Sequence, residues 1–201
     1  MSYAAGELRY HLKNISKLTI TDFYKLTAYE AEEEPGEGVK CPVKWLRNSS
    51  RRVYHHGGVD VAARVYDENK PFQSALLPKV LRVLVDQPVS SKLEKRVLDS
   101  MRQDKRVPRP LLALLCTCIY NVLAEIQSGS NANFSSKNCL NEYQGVLKTM
   151  EDLDKVEPDY LKKLEKHIYH QAWASGSDGI QVQQYDAAKI KAAVGDIPTY
   201  D

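Results

Sequence analysis

Residues 111–124 read LLALLCTCIYNVLA, from Leu111 to Ala124, and the reading of this run decides the fold. It is shorter than the roughly 20 residues that span a bilayer, so it is assigned to a helix buried in a protein core. Pro108 and Pro110 precede it, and its apolar character extends the predicted helix over about 111–127. Helices are expected on both sides of it. Toward the C-terminus, a polar loop from Ser128 to Ser136 leads to a stripe of Leu140, Tyr143, Leu147 and Met150. Pro158 then opens a helix carrying Leu161, Leu164, Ile168 and Ala172 at helical spacing. A Gly-rich turn at 176–179 leads to a closing helix at about 185–194.

Toward the N-terminus, Ser91 and Glu94 form a capping-box signature ahead of Val97, Leu98 and Met101. Pro78 suits the first turn of a helix carrying Val80, Leu81, Leu84 and Val85. Leu8, Leu12 and Ile15 predict an amphipathic helix within 4–17. A second helix is expected to open at Thr21 or Asp22 as N-cap, to carry Phe23, Leu26 and Tyr29 inward, and to stop at Pro35-Gly36.

Between these helices the period changes. Val39, Cys41, Val43 and Trp45 alternate with Lys40, Pro42 and Lys44, and Val59, Val61, Ala63 and Val65 alternate again, with Gly57-Gly58 as a tight turn before them. Alternation of this kind predicts strands, here a three-stranded antiparallel meander; a helix over 59–66 is the rival reading. The fold class is therefore α+β and predominantly α: a helical bundle around the central apolar helix, with a small N-terminal α/β lobe containing a short antiparallel meander. The division is a basic lobe over 1–70 and a helical domain over 71–201, or one continuous domain.

With 43% apolar and 27% charged residues in 201, the composition excludes wholesale disorder, collagen-like repeats and a disulfide scaffold. Glu7, Arg9, His11, Lys13 and Lys17 interrupt any signal-peptide core, so an intracellular location, cytoplasmic or nuclear and off the membrane, is expected. The four cysteines, at 41, 116, 118 and 139, read as small buried hydrophobes.

The net charge of +2 conceals a division along the chain. Residues 1–38 hold 4 basic and 7 acidic residues, 39–66 hold 6 and 1, 67–110 hold 10 and 6, and 111–201 hold 8 and 12. The middle is +9 and the flanks together −7. Such asymmetry suits a polyanion partner, or copies meeting basic side to acidic side, unless folding cancels it within one molecule. On a meander whose valines face inward, Lys40, Lys44, Arg47, Arg51, Arg52, Tyr54, His56 and Arg64 make a basic surface with interleaved aromatics, which can neutralise phosphates while bases stack on tyrosine. The alternative is a solvated sheet face. Lys92, Lys95, Arg96, Arg102, Lys105, Arg106 and Arg109 form a second basic cluster, which reads as the solvated face of an amphipathic helix, the other reading being an extension of a polyanion track.

His167 and His170 lie three apart on a helix, as a metal pair can, but the sequence nominates no third ligand. Phosphate-loop, dinucleotide, nucleophile-elbow and H-E-x-x-H motifs are missing. No cofactor or metal is expected. The functional expectation is a non-enzymatic, self-assembling protein that binds nucleic acid, RNA foremost, as a nucleoprotein or coat subunit does. A helical adaptor for acidic proteins is the alternative, and a hydrolase using His55 or His56 is the third reading.

Overall fold

The computed structural model describes residues 3–26, 40–48, 51–86, 92–130 and 136–173. In chain order its elements are α1 (Tyr3–Phe23), α2 (Lys40–Leu46), a 3-10 turn (Val53–His55), β1 (Gly57–Asp60), β2 (Val65–Asp67), α3 (Leu76–Asp86), α4 (Lys92–Asp104), α5 (Arg109–Ser128), α6 (Ser136–Val156) and α7 (Pro158–Trp173). The protein is mostly helical, as its sequence predicts.

The 111–124 run forms the middle of α5. Pro108 is its extended N-cap and Pro110 lies in its first turn, where a missing amide costs nothing. Gly129, at φ 66, ends it, its N–H donating to the Glu125 carbonyl at 2.9 Å; that left-handed cap is cheap only for a residue without Cβ. α1, α2, α3, α6 and the 3-10 turn all pack on α5. By length and composition α5 would pass for a membrane span, and 67% of its apolar window lies buried inside the protein. Cys116, Cys118 and Cys139 are buried thiols. One continuous hydrophobic cluster runs from Leu8 to Ala172, drawing on residues from both sides of position 70.

Several local expectations fare differently. The break at Thr21–Asp22 is absent: α1 continues to Phe23 because Ile20 is wanted in the core, and the Thr21 hydroxyl donates back to the Lys17 carbonyl at 3.0 Å instead of capping. Of the expected strand Val39–Trp45, the described residues, from Lys40 on, form no strand. Residues 40–46 are helix α2, with Val43 and Leu46 buried one turn apart in a helix that packs on α5, and Pro42 tolerated in its first turn.

The sheet consequently has two strands. β1 and β2 pair antiparallel, Gly57 opposite Asp67 and Asp60 opposite Val65, with a bulge between. Gly57-Gly58 lies in β1, and the turn falls at Val61–Arg64, where the Asp60 carboxylate accepts the Ala63 amide at 2.9 Å and Arg64 adopts φ 53. On α6 Met150 is buried, with Cys139 and Val146, and Tyr143 and Leu147 pack half-buried against the core, so Leu140, 43% exposed, is the member of the expected stripe that faces out. The stripes of α7 and α3 stand as predicted, with Leu161, Leu164, Ile168 and Ala172 buried on one and Val80, Leu81 and Leu84 on the other. Tyr29, Pro35-Gly36, Ser91 of the capping box and the helix at 185–194 lie outside the described residues.

Truncating Leu115 or Ile119 to Ala should cost roughly 2–5 kcal/mol, read as a lowered urea midpoint. Leu18→Ala, at a position 76% exposed, should stay within about 0.5 kcal/mol.

Candidate functional site

The segment from α2 to β1 carries most of the residues that the sequence proposes as a binding surface. After α2, Asn48 organises the chain: its side-chain oxygen accepts the Arg51 amide at 3.2 Å and its carbonyl accepts the Arg52 amide at 2.7 Å. Arg52 then takes a left-handed conformation, φ 45 and ψ 52, which a non-glycine residue holds only against strain. This reversal sends its side chain to α6. Arg52 Nε donates to Glu142 Oε1 at 2.9 Å, and the Tyr54 hydroxyl donates to the same oxygen at 2.9 Å. Gly145 lies one turn along α6, and a Cβ there would collide with Arg52 Nη2.

Arg52 and Tyr54 therefore do not sit on an outer face. Tyr54 is 0% exposed, its carbonyl accepts the Tyr24 hydroxyl at 2.8 Å, and burial raises its phenol well above the ordinary range. Arg47 is also held against the core: its guanidinium stands 4.4 Å over the Tyr120 ring and donates to Gln127 Oε1. Lys40 opens α2.

Next come the two histidines. His55 is buried and stacked between Phe72 (4.2 Å, 14°) and His56 (4.7 Å, 19°). Its Nδ1 accepts the Phe72 amide at 3.4 Å and its carbonyl accepts the Ser74 amide at 3.2 Å. Burial, then the charges of His56 and Arg52, hold the ring well below its ordinary pKa. The ring nitrogens of His56 face the carbonyls of Asp67 (3.3 Å) and Arg51 (3.1 Å). Burial lowers its pKa too, against those hydrogen bonds, which act to raise it. Both histidines that a hydrolytic reading would use are thus engaged with main chain.

What reaches the surface is a smaller group. Tyr66 packs edge-on against His56 (5.0 Å) and against Trp45 (6.2 Å), and all three rings are half-buried. Lys44, Arg51 and Arg64 are exposed, and Arg51 lies close enough to Tyr66 to act on its hydroxyl. The hairpin also brings carboxylates: Glu68 accepts the Tyr66 hydroxyl at 2.9 Å, and Asp67 pairs with Lys70 at 3.2 Å.

The second basic cluster is divided in the same way. Lys92, Lys95, Arg96 and Arg102 line the solvent side of α4, with Arg102 paired to Asp99 at 3.4 Å. Arg109 instead turns inward, where it donates to both oxygens of Asp154 (3.0 and 2.9 Å) and to the buried Glu165 at 2.8 Å. Among the described residues, no three His, Cys, Asp or Glu side chains converge as a metal site. The sequence reading missed Glu142 and Gly145; a glycine among good helix formers at 136–156 was the available signal.

This is a helical protein whose small hairpin carries a half-exposed aromatic and cationic group. Residues 1–153 match the family described as Domain of unknown function (DUF6532), and the chain belongs to that family. No curated protein and no solved structure matches the chain.

Gly145→Ala must push the Arg52 guanidinium aside and so should fail to raise stability, although the same change in an open helix interior stabilises by about 0.5–1 kcal/mol. The sign of the shift in urea midpoint checks the packing. The depressed pKa of His55 has its own consequence. The unfolded chain binds a proton near pH 6.5 and the folded one resists it, so stability is full above 6.5 and falls as pH drops below it. The slope approaches about 1.4 kcal/mol per pH unit for one such group. Urea unfolding between pH 7.5 and 5.5 should show this fall, and His55→Leu should flatten it.

Proposed function

We propose that the chain is a non-catalytic nucleic-acid-binding protein, acting on single-stranded RNA through the Trp45, His56 and Tyr66 rings and the exposed cations Lys44, Arg51 and Arg64. The observation that carries this reading is the half-exposed ring group with the exposed Arg51 beside Tyr66. Stacking on such rings tolerates any base, and lysine or arginine neutralises the backbone. Arg47, Arg52 and Tyr54 support the surface from beneath and do not contact the ligand. Self-association belongs to the same proposal, supported by the +9 middle and −7 flanks of the sequence, part of which ion pairs within the chain cancel. The acidic run Glu30 to Glu37, its proposed contact, lies outside the described residues.

Fluorescence anisotropy with a labelled single-stranded oligonucleotide tests the reading. Lys44→Ala with Arg51→Ala should weaken binding and flatten the dependence of log K on log salt by about 1.4, two phosphate contacts at 0.7 each. Tyr66→Ala should cost about 1–3 kcal/mol of binding. Unchanged affinity and slope in both variants would remove this surface from binding, and sedimentation velocity at low and high salt checks self-association.

A further inference from the structure

Between His55 and Ser74 the chain leaves the core, runs out through β1 and back through β2, and returns to open α3. The two strands make their main packing contact with each other, and His55 closes the root of the loop. Its carbonyl accepts the Ser74 amide at 3.2 Å, and its Nδ1 accepts the Phe72 amide at 3.4 Å. The residue is 2% exposed, and its ring lies face to face with Phe72 at 4.2 Å. Phe72 holds φ 60, a left-handed conformation that a bulky residue adopts only where its surroundings impose it. The next rung outward is the Gly57 amide on the Lys70 carbonyl at 2.9 Å. Within 56–73, Val61 and Phe72 are the buried apolar residues, so opening this loop takes two apolar side chains from the bundle.

The arrangement at the root admits one protonation state. A nitrogen that accepts an amide hydrogen carries none of its own, so the proton of the neutral ring sits on Nε2. A second proton must go to Nδ1, where it would meet the Phe72 N–H head on and put a charge into a buried stack. Facing the ring are Tyr54, edge-on at 5.4 Å, Phe72 on one side and His56 on the other at 4.7 Å. The charges of His56 and Arg52 oppose a proton there, and the carboxylates of Glu68 and Asp67 act on His56 instead. We propose that His55 is a proton-released latch: when Nδ1 takes a proton, the ring leaves Phe72 and the loop from His56 to Gln73 opens while the helices stay packed. Opening lets Phe72 relax from its left-handed conformation and brings both imidazoles into water. The open form therefore holds one more proton through His55 and up to a second through His56. The device lies at the root of the hairpin and does not rest on what the hairpin binds.

Native-state hydrogen exchange on the full chain tests the latch, with rates corrected for the intrinsic pH dependence of amide exchange. As pH falls below about 6.5, the Gly57, Phe72 and Ser74 amides should lose protection, the slope approaching about tenfold per pH unit for one proton and about a hundredfold for two. Sub-denaturing urea should hardly speed that exchange, because a small loop uncovers little surface. At Leu115 and Ile119 on α5 the same urea should speed exchange steeply. His55→Asn, whose side-chain oxygen can still accept the Phe72 amide, should lose the response to pH, and His56→Gln should keep the one-proton response. Protection at the root that does not change with pH would overturn the latch. So would a urea dependence equal to that of α5, which would mean that acid opens the whole bundle and not the loop. Should neither variant fold, the urea dependence of the unmodified chain decides.

Discussion

One oxygen of Glu142 receives both the Arg52 Nε–H and the Tyr54 hydroxyl, and the chain between α2 and β1 takes its course from that meeting. A partly buried carboxylate needs donors in place of the water it gives up. Supplying them requires Arg52 to adopt a left-handed conformation and Gly145 to leave room on α6. With Arg52 and Tyr54 drawn inward, His55 follows into the core on Phe72, and His56 is the first ring to emerge. The exposed edge of Tyr66 and Trp45 is built on that sequence of constraints.

The legible parts of the fold were those with long stripes and strong end signals. α5 has a proline as its N-cap, a second in its first turn and a glycine after it, and α7 has a proline at its start and four apolar residues at helical spacing. Residues 39–47 were ambiguous because Val43 and Trp45 alternate with lysines while Val43 and Leu46 also fit one face of a short helix. Packing on α5 decides between the two, as tertiary context does for weak local preferences. Thr21 looked like a cap because its side chain bonds main chain readily in either role.

In the candidate site, Lys44, Arg51 and Arg64 stand exposed, while Arg47, Arg52 and Tyr54 do not. The groups that claim those three, Gln127 and Glu142, lie 80 to 90 residues away in sequence. No local pattern encodes such partners. The charge division has the same explanation in part. Arg52 of the basic middle meets Glu142 of the acidic flank, and Arg109 meets Asp154 and Glu165. A segment's net charge describes its folding partners together with its ligands.

The three thiols beneath the surface have a practical consequence. Cys116, Cys118 and Cys139 are enclosed, and burial raises the Cys116 thiol far above its usual range, leaving almost no thiolate to react. Alkylation at these positions therefore waits for the bundle to open. The rate at which a maleimide or iodoacetamide enters α5 measures how often the central helix is uncovered. Cys139, on α6, reports in parallel whether that helix departs first or together with the rest. The chain thus carries its own clock for opening, with no label to be engineered in.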